Sequence, residues 1–496
     1  MDRRGFLAGS ASLVAVLAAR QARAAAAAKE RKRRRRASRS VEGPYGPLQP
    51  VADLETGLPL LLLPEGFQYR SFSWAGDPMT NGGAAPDLHD GMGVIATQGH
   101  GDGLEVTLVR NHERALAVPI AAHARYDTWT RTADDGTPTA PAGGTTTLRF
   151  RGRHWVSAAP SLGGTIFNCS GGVTPWGTWL TCEETVIDLR PQGGRKHGYV
   201  FEVRADAEAT TATPLVDMGR FRHEAVGIDP KTHAAYMTED EIEARCAAFY
   251  RFLPREAHGG AGSYEAGGRL QAAKVVGRRN ADLRAPSVGD EYAIEWVDVA
   301  EPDADPALAP VKTGKERARA SGPFVQAFAG GAAWFSRCEG CCSHGGKIYF
   351  VDTLAGRDAQ GRVGGGDGAV WEFDPAADSL RAIFVAGTQK VGDNIDNITV
   401  RPGGGIFLCE DGDPVTDRYG PGTRLIGLTE EGDSFAFAKN RVVIEAGAVA
   451  KAGKHVAAGD YRGEEWAGCC FDARGEVLFA NVQVPGITFA IWGPWG

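Results

Sequence analysis

Residues 168–184 read NCSGGVTPWGTWLTCEE and bring a thiol, a Gly-rich turn, a Pro-Trp-Gly corner and two adjacent carboxylates together. A soft ligand and hard ones this close suggest metal chemistry. The run Trp179, Leu180, Thr181, Cys182 is β-prone and bounded by Gly177 and Glu183, which reads as a strand. Its pleat sends Glu183 and Glu184 to opposite faces, so one of the two can point into a shared site. Other polar groups stand in similar settings: His223-Glu224, Arg337-Cys338-Glu339-Gly340, the run Asp393, Asn394, Ile395, Asp396, Asn397, and Glu464-Glu465 before Trp466. In an extended chain Arg337 and Glu339 face the same way.

The elements that must position these groups repeat. Segments 103–113, 177–184, 232–240, 345–353, 404–412 and 475–483 each run from a turn through four or five apolar or β-branched residues to a polar or acidic end. Taking Glu113, Glu183, Glu239, Asp352, Glu410 and Asn481 as those ends, the intervals are 56 to 71 residues except for one of 113. The shorter spacing fits one four-stranded blade with its loops. Further strands at 197–203, 247–254, 368–375 and 423–429 follow four of the segments as hairpin partners. Six units favour an all-β fold, a six-bladed β-propeller whose innermost strand ends converge, with the acidic ends meeting at one channel mouth. The long interval is read as loop and helical insertions at about 255–335, including an outer strand near 291–299 and a short helix near 324–334.

The first residues look like an address. Arg3-Arg4 precede a short apolar run, and Ala22-Arg23-Ala24 supplies a cleavage site, which predicts a twin-arginine signal peptide over 1–24. A basic, Ala-rich flexible segment over 25–45 and a catalytic propeller over 46–496 would follow. The apolar run is too short for a stable membrane anchor. These features predict engagement of the twin-arginine export machinery and a periplasmic or secreted protein, with a monomer as the expected state. Of 54 Lys and Arg and 61 Asp and Glu, residues 1–40 hold 12 and 2, leaving 42 basic and 59 acidic residues and a formal charge of −17. An acidic body argues against a nucleic-acid partner and suits Ca²⁺.

Nine cysteines, an odd number, leave at least one thiol free or ligating. Cys338-x-x-Cys341 is half a zinc signature without a second half, and Cys182, Cys246 and Cys409 lie in apolar runs, as buried thiols or disulfide halves would. His112, His197, His223 and His344 stand beside strands, where hydrogen-bonded structural roles are commoner than ligation. There is no Gly-x-Ser-x-Gly elbow, no phosphate-cradling Gly-x-x-x-x-Gly-Lys-Ser/Thr loop and no His-Glu-x-x-His helix.

Taken together, the 168–184 segment, the twin-arginine leader, Gly219-Arg220-Phe221 followed by His223-Glu224-Ala225, the Arg337-x-Glu339 pair, the Asp393–Asn397 run and Glu465-x-x-Gly468 resemble the PhoX-type alkaline phosphatases over nearly the whole mature chain. That resemblance implies a six-bladed propeller holding Fe³⁺ and Ca²⁺ at its mouth and hydrolysing phosphomonoesters. It implies Cys169 as the iron ligand and Glu184, Glu224, Asp240, Glu339, Asp396, Asp411 and Glu465 as carboxylate ligands. Arg337 would hold substrate phosphate, with Cys169 and Glu339 beside it in the catalytic set. Ile395 stands where the family usually has Pro, Arg337-Cys338-Glu339-Gly340 replaces Arg-Pro-Glu-Asp, and the chain is short, which matches a compact branch. Fe³⁺ is acidic enough to give a bound oxide or hydroxide nucleophile at neutral pH. Two other readings of the scaffold are a Ca²⁺-dependent lactonase or phosphotriesterase, and a non-catalytic metal-binding propeller.

Overall fold

A computed structural model describes residues 38–313 and 318–495. The leader and most of the basic segment lie outside the described residues. Six antiparallel blades surround one axis. Their innermost strands are His89–Gln98, Asn168–Val173, His223–Ile228, Cys338–His344, Ile395–Val400 and Trp466–Phe471, each beside the next and the last beside the first. These define blades 1 to 6 of a propeller. In each, the second strand pairs with the inner one: Glu105–His112, Trp179–Glu183, Ala235–Glu239, Lys347–Asp352, Ile406–Glu410 and Val477–Val482. The six repeated segments of the sequence are therefore second strands, not the innermost ones. The inner strands lie one hairpin earlier in the chain.

Packing explains the composition of the inner ring. A Cβ on Gly172 would sit 1.9 Å from the carbonyl oxygen of Val226 in blade 3, and one on Gly340 would sit 2.7 Å from Asn397 Cα in blade 5. Strands this close cannot carry large side chains, so the apolar volume moves outward. Six buried clusters result, one between each pair of neighbouring blades. Val226, Met237 and Tyr250 of blade 3 meet Leu180 and Val200 of blade 2, and Phe249 of blade 3 stacks on Phe350 of blade 4 with ring centroids 4.4 Å apart. Val109 faces Trp179 between blades 1 and 2, and Phe150 meets Phe479 between blades 1 and 6.

Blade 3 has five strands, since Gly268–Val275 and Glu291–Asp298 follow Phe249–Pro254 outward. Its fifth strand pairs with Ser379–Val385 of blade 4, so these two blades form one continuous sheet. The short helix expected near 324–334 spans Gly322–Gly330 and is capped by Ser321, whose hydroxyl accepts from the Phe324 N–H. Ring closure uses the chain's beginning. Gln68–Phe72 pairs with Ile487–Trp492 as the outermost strand of blade 6, and Leu61–Pro64 adds to Ser434–Asn440 of blade 5.

At the end of each second strand a polar residue ties down the loops that leave the blade. Glu183 accepts from the N–H groups of Ile166, Gly198 and Tyr199 (2.9, 2.8 and 3.2 Å). Asp352 accepts from those of Ser336 and Arg337 (3.0 and 3.1 Å), and Glu239 from Ala248 N–H and the hydroxyls of Tyr250 and Ser321. Glu410 accepts from the N–H groups of Asp393 and Arg424 and pairs with the buried Arg424 guanidinium. His112 and Asn481 fill the same position in blades 1 and 6. Of the expected acidic ends, Glu183, Glu239, Asp352 and Glu410 therefore do not turn into the mouth, because they satisfy buried backbone donors instead. In blade 1 the residue in line with Glu183 is His112, so Glu113 stands one place beyond the expected end.

The Arg424 and Glu410 side chains are 5% and 1% exposed, so removing one charge strands the other. Arg424→Met is expected to lower unfolding free energy by about 3–5 kcal/mol. Chemical denaturation of the variant and the parent checks this, and a loss below about 1 kcal/mol would mean the backbone donors alone hold Glu410.

Candidate metal centre

Every inner strand slips register against its second strand within its first residues. The slips fall between His89 and Met92, Asn168 and Gly171, His223 and Val226, Cys338 and Cys341, Ile395 and Ile398, and Ala467 and Cys470. A bulge of this kind bends the strand and re-aims its side chains. Its first residue is Asp90, Cys169, Glu224, Glu339 and Asp396 in blades 1 to 5, and Gly468 in blade 6. In three blades the residue two places earlier adopts a left-handed backbone without being glycine: Leu88 (φ 49°), Phe167 (φ 51°) and Asn394 (φ 45°).

A second tier comes from the position just after the second strand in blades 1, 2, 3 and 5, occupied by Glu113, Glu184, Asp240 and Asp411. The pleat turns each of these away from its loop-tying neighbour, as the alternation at Glu183 and Glu184 predicts. Glu465, just before the blade 6 inner strand, completes the set.

The geometry joins Cys169, Glu184, Glu224, Glu339 and Asp396 in one connected cluster. Ligand atoms of Cys169, Glu184 and Glu224 lie within 4.8 Å of one another, and so do those of Glu224, Glu339 and Asp396. Glu224 is common to both groups. Cys169 Sγ donates to Glu224 Oε1 at 3.2 Å, and Arg337 binds Asp240 through Nε (2.7 Å) and Nη2 (2.5 Å). Arg337 Nη2 also lies 2.9 Å from Glu339 Oε1. Asp240 thus faces the guanidinium, while Asp411, on the exposed rim, and Glu465 stand outside the two groups.

Asp90 and Gln483 are not among the residues the sequence singles out. Asp90 is fully buried, and Gln483 Nε2 donates to its Oδ2 (3.3 Å) and to Glu113 Oε2 (3.0 Å). The signal was present: His89-Asp90-x-x-Gly93 repeats His223-Glu224-x-x-Gly227. The histidines beside the strands have other partners. His112 contacts the Asp87 carbonyl and the Thr146 hydroxyl, and His223 contacts the Gly219 carbonyl and stacks on Phe221. Glu183 and Asp127 flank His197 and outweigh its burial, raising its pKa to about 9. All nine cysteines are free thiols, and neither Cys338 nor Cys341 joins a ligand group among the described residues.

Electrostatics give the cluster its demand for cations. Burial, then the surrounding carboxylates, push Asp90, Glu184, Glu224, Glu339 and Glu465 well above the usual carboxylate range. Burial also raises the Cys169 thiol, with Asp90 and Glu224 adding to it. Burial opposes the charge on Arg337, but Glu339 and Asp240 outweigh it and keep the guanidinium firmly cationic. One guanidinium does not neutralise nine carboxylates. Buried oxygens of Asp90, Glu184, Glu224 and Asp396 have no hydrogen-bond donor, which is how acceptors look when a cation is their partner. The donor set is oxygen-rich with one sulfur, and it fits hard cations together with one that accepts a thiolate.

The sign of the resulting pH dependence is fixed. Burial, helped by Asp396 and Asp240, raises Glu113 from 4.5 to about 7, so the folded, metal-free chain binds protons more tightly than the unfolded chain. Its contribution to stability is greatest at low pH and is lost as pH rises from 4.5 to about 7. Chelator-treated protein is expected to melt at progressively lower temperature across that window, and divalent cation added at pH 7 to 8 should reverse the loss. Scanning calorimetry with and without chelator tests this, and superimposable curves would contradict it.

A sequence model of the alkaline phosphatase PhoX family matches residues 43–161 and 129–486. No curated protein shows a sequence match. Among solved structures, Pseudomonas fluorescens PhoX in complex with vanadate, a transition state analogue, is similar over 92% of this chain and 98% of that one, at 16% identity and a TM-score of 0.57. That likeness is one of fold. A eukaryotic initiation factor aligned over 86% of this chain and 93% of its own, at 9% identity, reaches a TM-score of only 0.22 and carries no argument. With the family match spanning nearly all of the propeller, the chain belongs to the PhoX alkaline phosphatase family.

Proposed function

We propose that the carboxylate and thiol cluster at the propeller mouth is where this chain carries out its family's reaction, the metal-dependent hydrolysis of phosphomonoesters, and that its metals are Fe³⁺ and Ca²⁺. One observation carries the assignment: two groups of buried ligand atoms share Glu224, and Arg337 stands directly beside them. Cys169, Glu184 and Glu224 would hold the iron, and Glu224, Glu339 and Asp396 a Ca²⁺, with Asp90, Glu113, Asp240, Asp411 and Glu465 available to complete coordination. When bound, such ions supply Lewis acidity toward phosphoryl oxygens and a nucleophile usable near neutral pH.

The chain's own residues supply orientation. Arg337 uses Nε and Nη2 to grip Asp240 and Glu339, which fixes the plane of its guanidinium and leaves Nη1 for a phosphoryl oxygen. Glu339 ties the arginine to the ligand groups, so a phosphate held by Arg337 has a set position relative to them. The buried walls limit water around the reacting centre and strengthen each polar contact there. Export through the twin-arginine route and action in the periplasm or medium belong to the same proposal. They rest on Arg3-Arg4 and the cleavage site after them.

Cys169→Ala is expected to lose its iron while keeping Ca²⁺, and to lose at least about 100-fold in kcat/KM. Metal analysis paired with aryl phosphate turnover checks it, and full iron with full activity would remove Cys169 from the centre. Arg337→Ala should lower kcat/KM by roughly 10²–10³-fold at unchanged metal content. Arg337→Lys is expected to recover little, because a lysine cannot reproduce the forked contacts.

A further inference from the structure

A cavity of about 610 Å³ opens on the same mouth between blades 6 and 1. Met79, Pro86, Ile120 and Val484 line it, and Val118, 56% exposed, stands among its lining residues. Gln483 belongs to both places, since it lines the cavity and donates to Asp90 and Glu113 of the metal centre. Consecutive residues divide the same way: Glu113 faces the centre and Arg114 the cavity. Blade 1 lies across the axis from blade 4, which carries Arg337. A phosphoryl group held by Arg337 would face Gln483 and the cavity across the axis, which leaves that side open to its ester oxygen.

The charges around this space are already engaged. Arg114 pairs with Asp87 at 2.7 Å and donates to the carbonyls of Val118 and Ala142 (2.8 and 3.3 Å). Lys454, next to the lining residue His455, is held by Asp77 at 2.8 Å. The Asp87 carboxylate is 57% exposed and repels anions. Arg114 and Lys454 are thus committed to Asp87 and Asp77, and the volume and largely apolar lining suit a ring.

We propose that this cavity receives the alcohol part of the substrate and selects monophosphates of uncharged, apolar, ring-sized alcohols over those of small polyols or of groups bearing further phosphates. The inference rests on the phosphomonoesterase reading of the adjoining centre. In the metal-loaded enzyme, kcat/KM for 1-naphthyl phosphate should exceed that for glycerol 2-phosphate by about tenfold or more, the scale of a filled apolar pocket. Ala121→Trp, which fills the cavity from its wall, should remove that preference and leave glycerol 2-phosphate within about twofold. Val118→Lys should improve use of a hexose bisphosphate by up to about fivefold, as an exposed ion pair allows.

Equal use of the two monoesters by the parent enzyme, or an Ala121→Trp variant that changes both alike, would overturn the cavity's role. Calorimetric binding of 1-naphthyl phosphonate, which cannot be hydrolysed, separates this from the catalytic reading. Binding that Ala121→Trp weakens, without turnover of any ester, supports the cavity and rejects the centre as a phosphatase. Binding that Ala121→Trp leaves unchanged overturns the cavity.

Discussion

Mutual repulsion among carboxylates at the axis is the constraint around which this molecule is built. Glu224 alone feels Glu339, Asp396, Glu184 and Asp90, in a site too buried for water to screen them. Without cations the groups can coexist only by holding protons, and the raised proton affinities express that. With cations the same crowding becomes affinity, since each ion meets oxygens already gathered. Five blades contribute the first residue of a bulge, so no single blade owns the site. The propeller's role is to hold repelling groups together, and the six apolar wedges between blades supply the force that does so.

Two tiers of carboxylates sit one residue apart and do different work. Glu183, Glu239, Asp352 and Glu410 satisfy backbone donors of the loops, and Glu184, Asp240 and Asp411 look into the mouth. Adjacent acidic pairs thus report a strand end at which one face serves the fold and the other the chemistry. Arg424 and His197 face Glu410 and Glu183, two of the loop-tying carboxylates, so that tier adds little repulsion to the one at the mouth.

Much of this was legible in the sequence because second strands are rich in β-branched and aromatic residues and recur at blade spacing. The inner strands were not, for the reason that makes them inner strands. Around a crowded axis, 168–173 and 466–471 consist largely of Gly, Cys, Ser and Ala, and residues of that kind carry a weak strand signal. Asp90 was hidden in the same way, within a strand that starts after a Gly- and Ala-rich stretch and lacks an acidic neighbour. Glu113 is the acidic residue that closes the repeat in blade 1, yet it stands one place beyond the other ends because His112 replaces the acidic residue there. Glu224, Glu339 and Asp396 came from the family resemblance, since nothing in their spacing alone distinguishes a bulge from a regular strand.

The strand that closes blade 6, Gln68–Phe72, leaves the ribosome long before its partner Ile487–Trp492. The seam it seals lies between the blades that carry Glu465 on one side and Asp90 and Glu113 on the other. Ligand geometry is therefore a property of the finished circle, with contacts spanning more than 400 residues of chain. High contact order of this kind delays completion until synthesis ends. A chain lacking Gln68–Phe72 or Ile487–Trp492 would leave the ring open beside the carboxylate cluster, so the spacing of those side chains depends on two distant segments having joined.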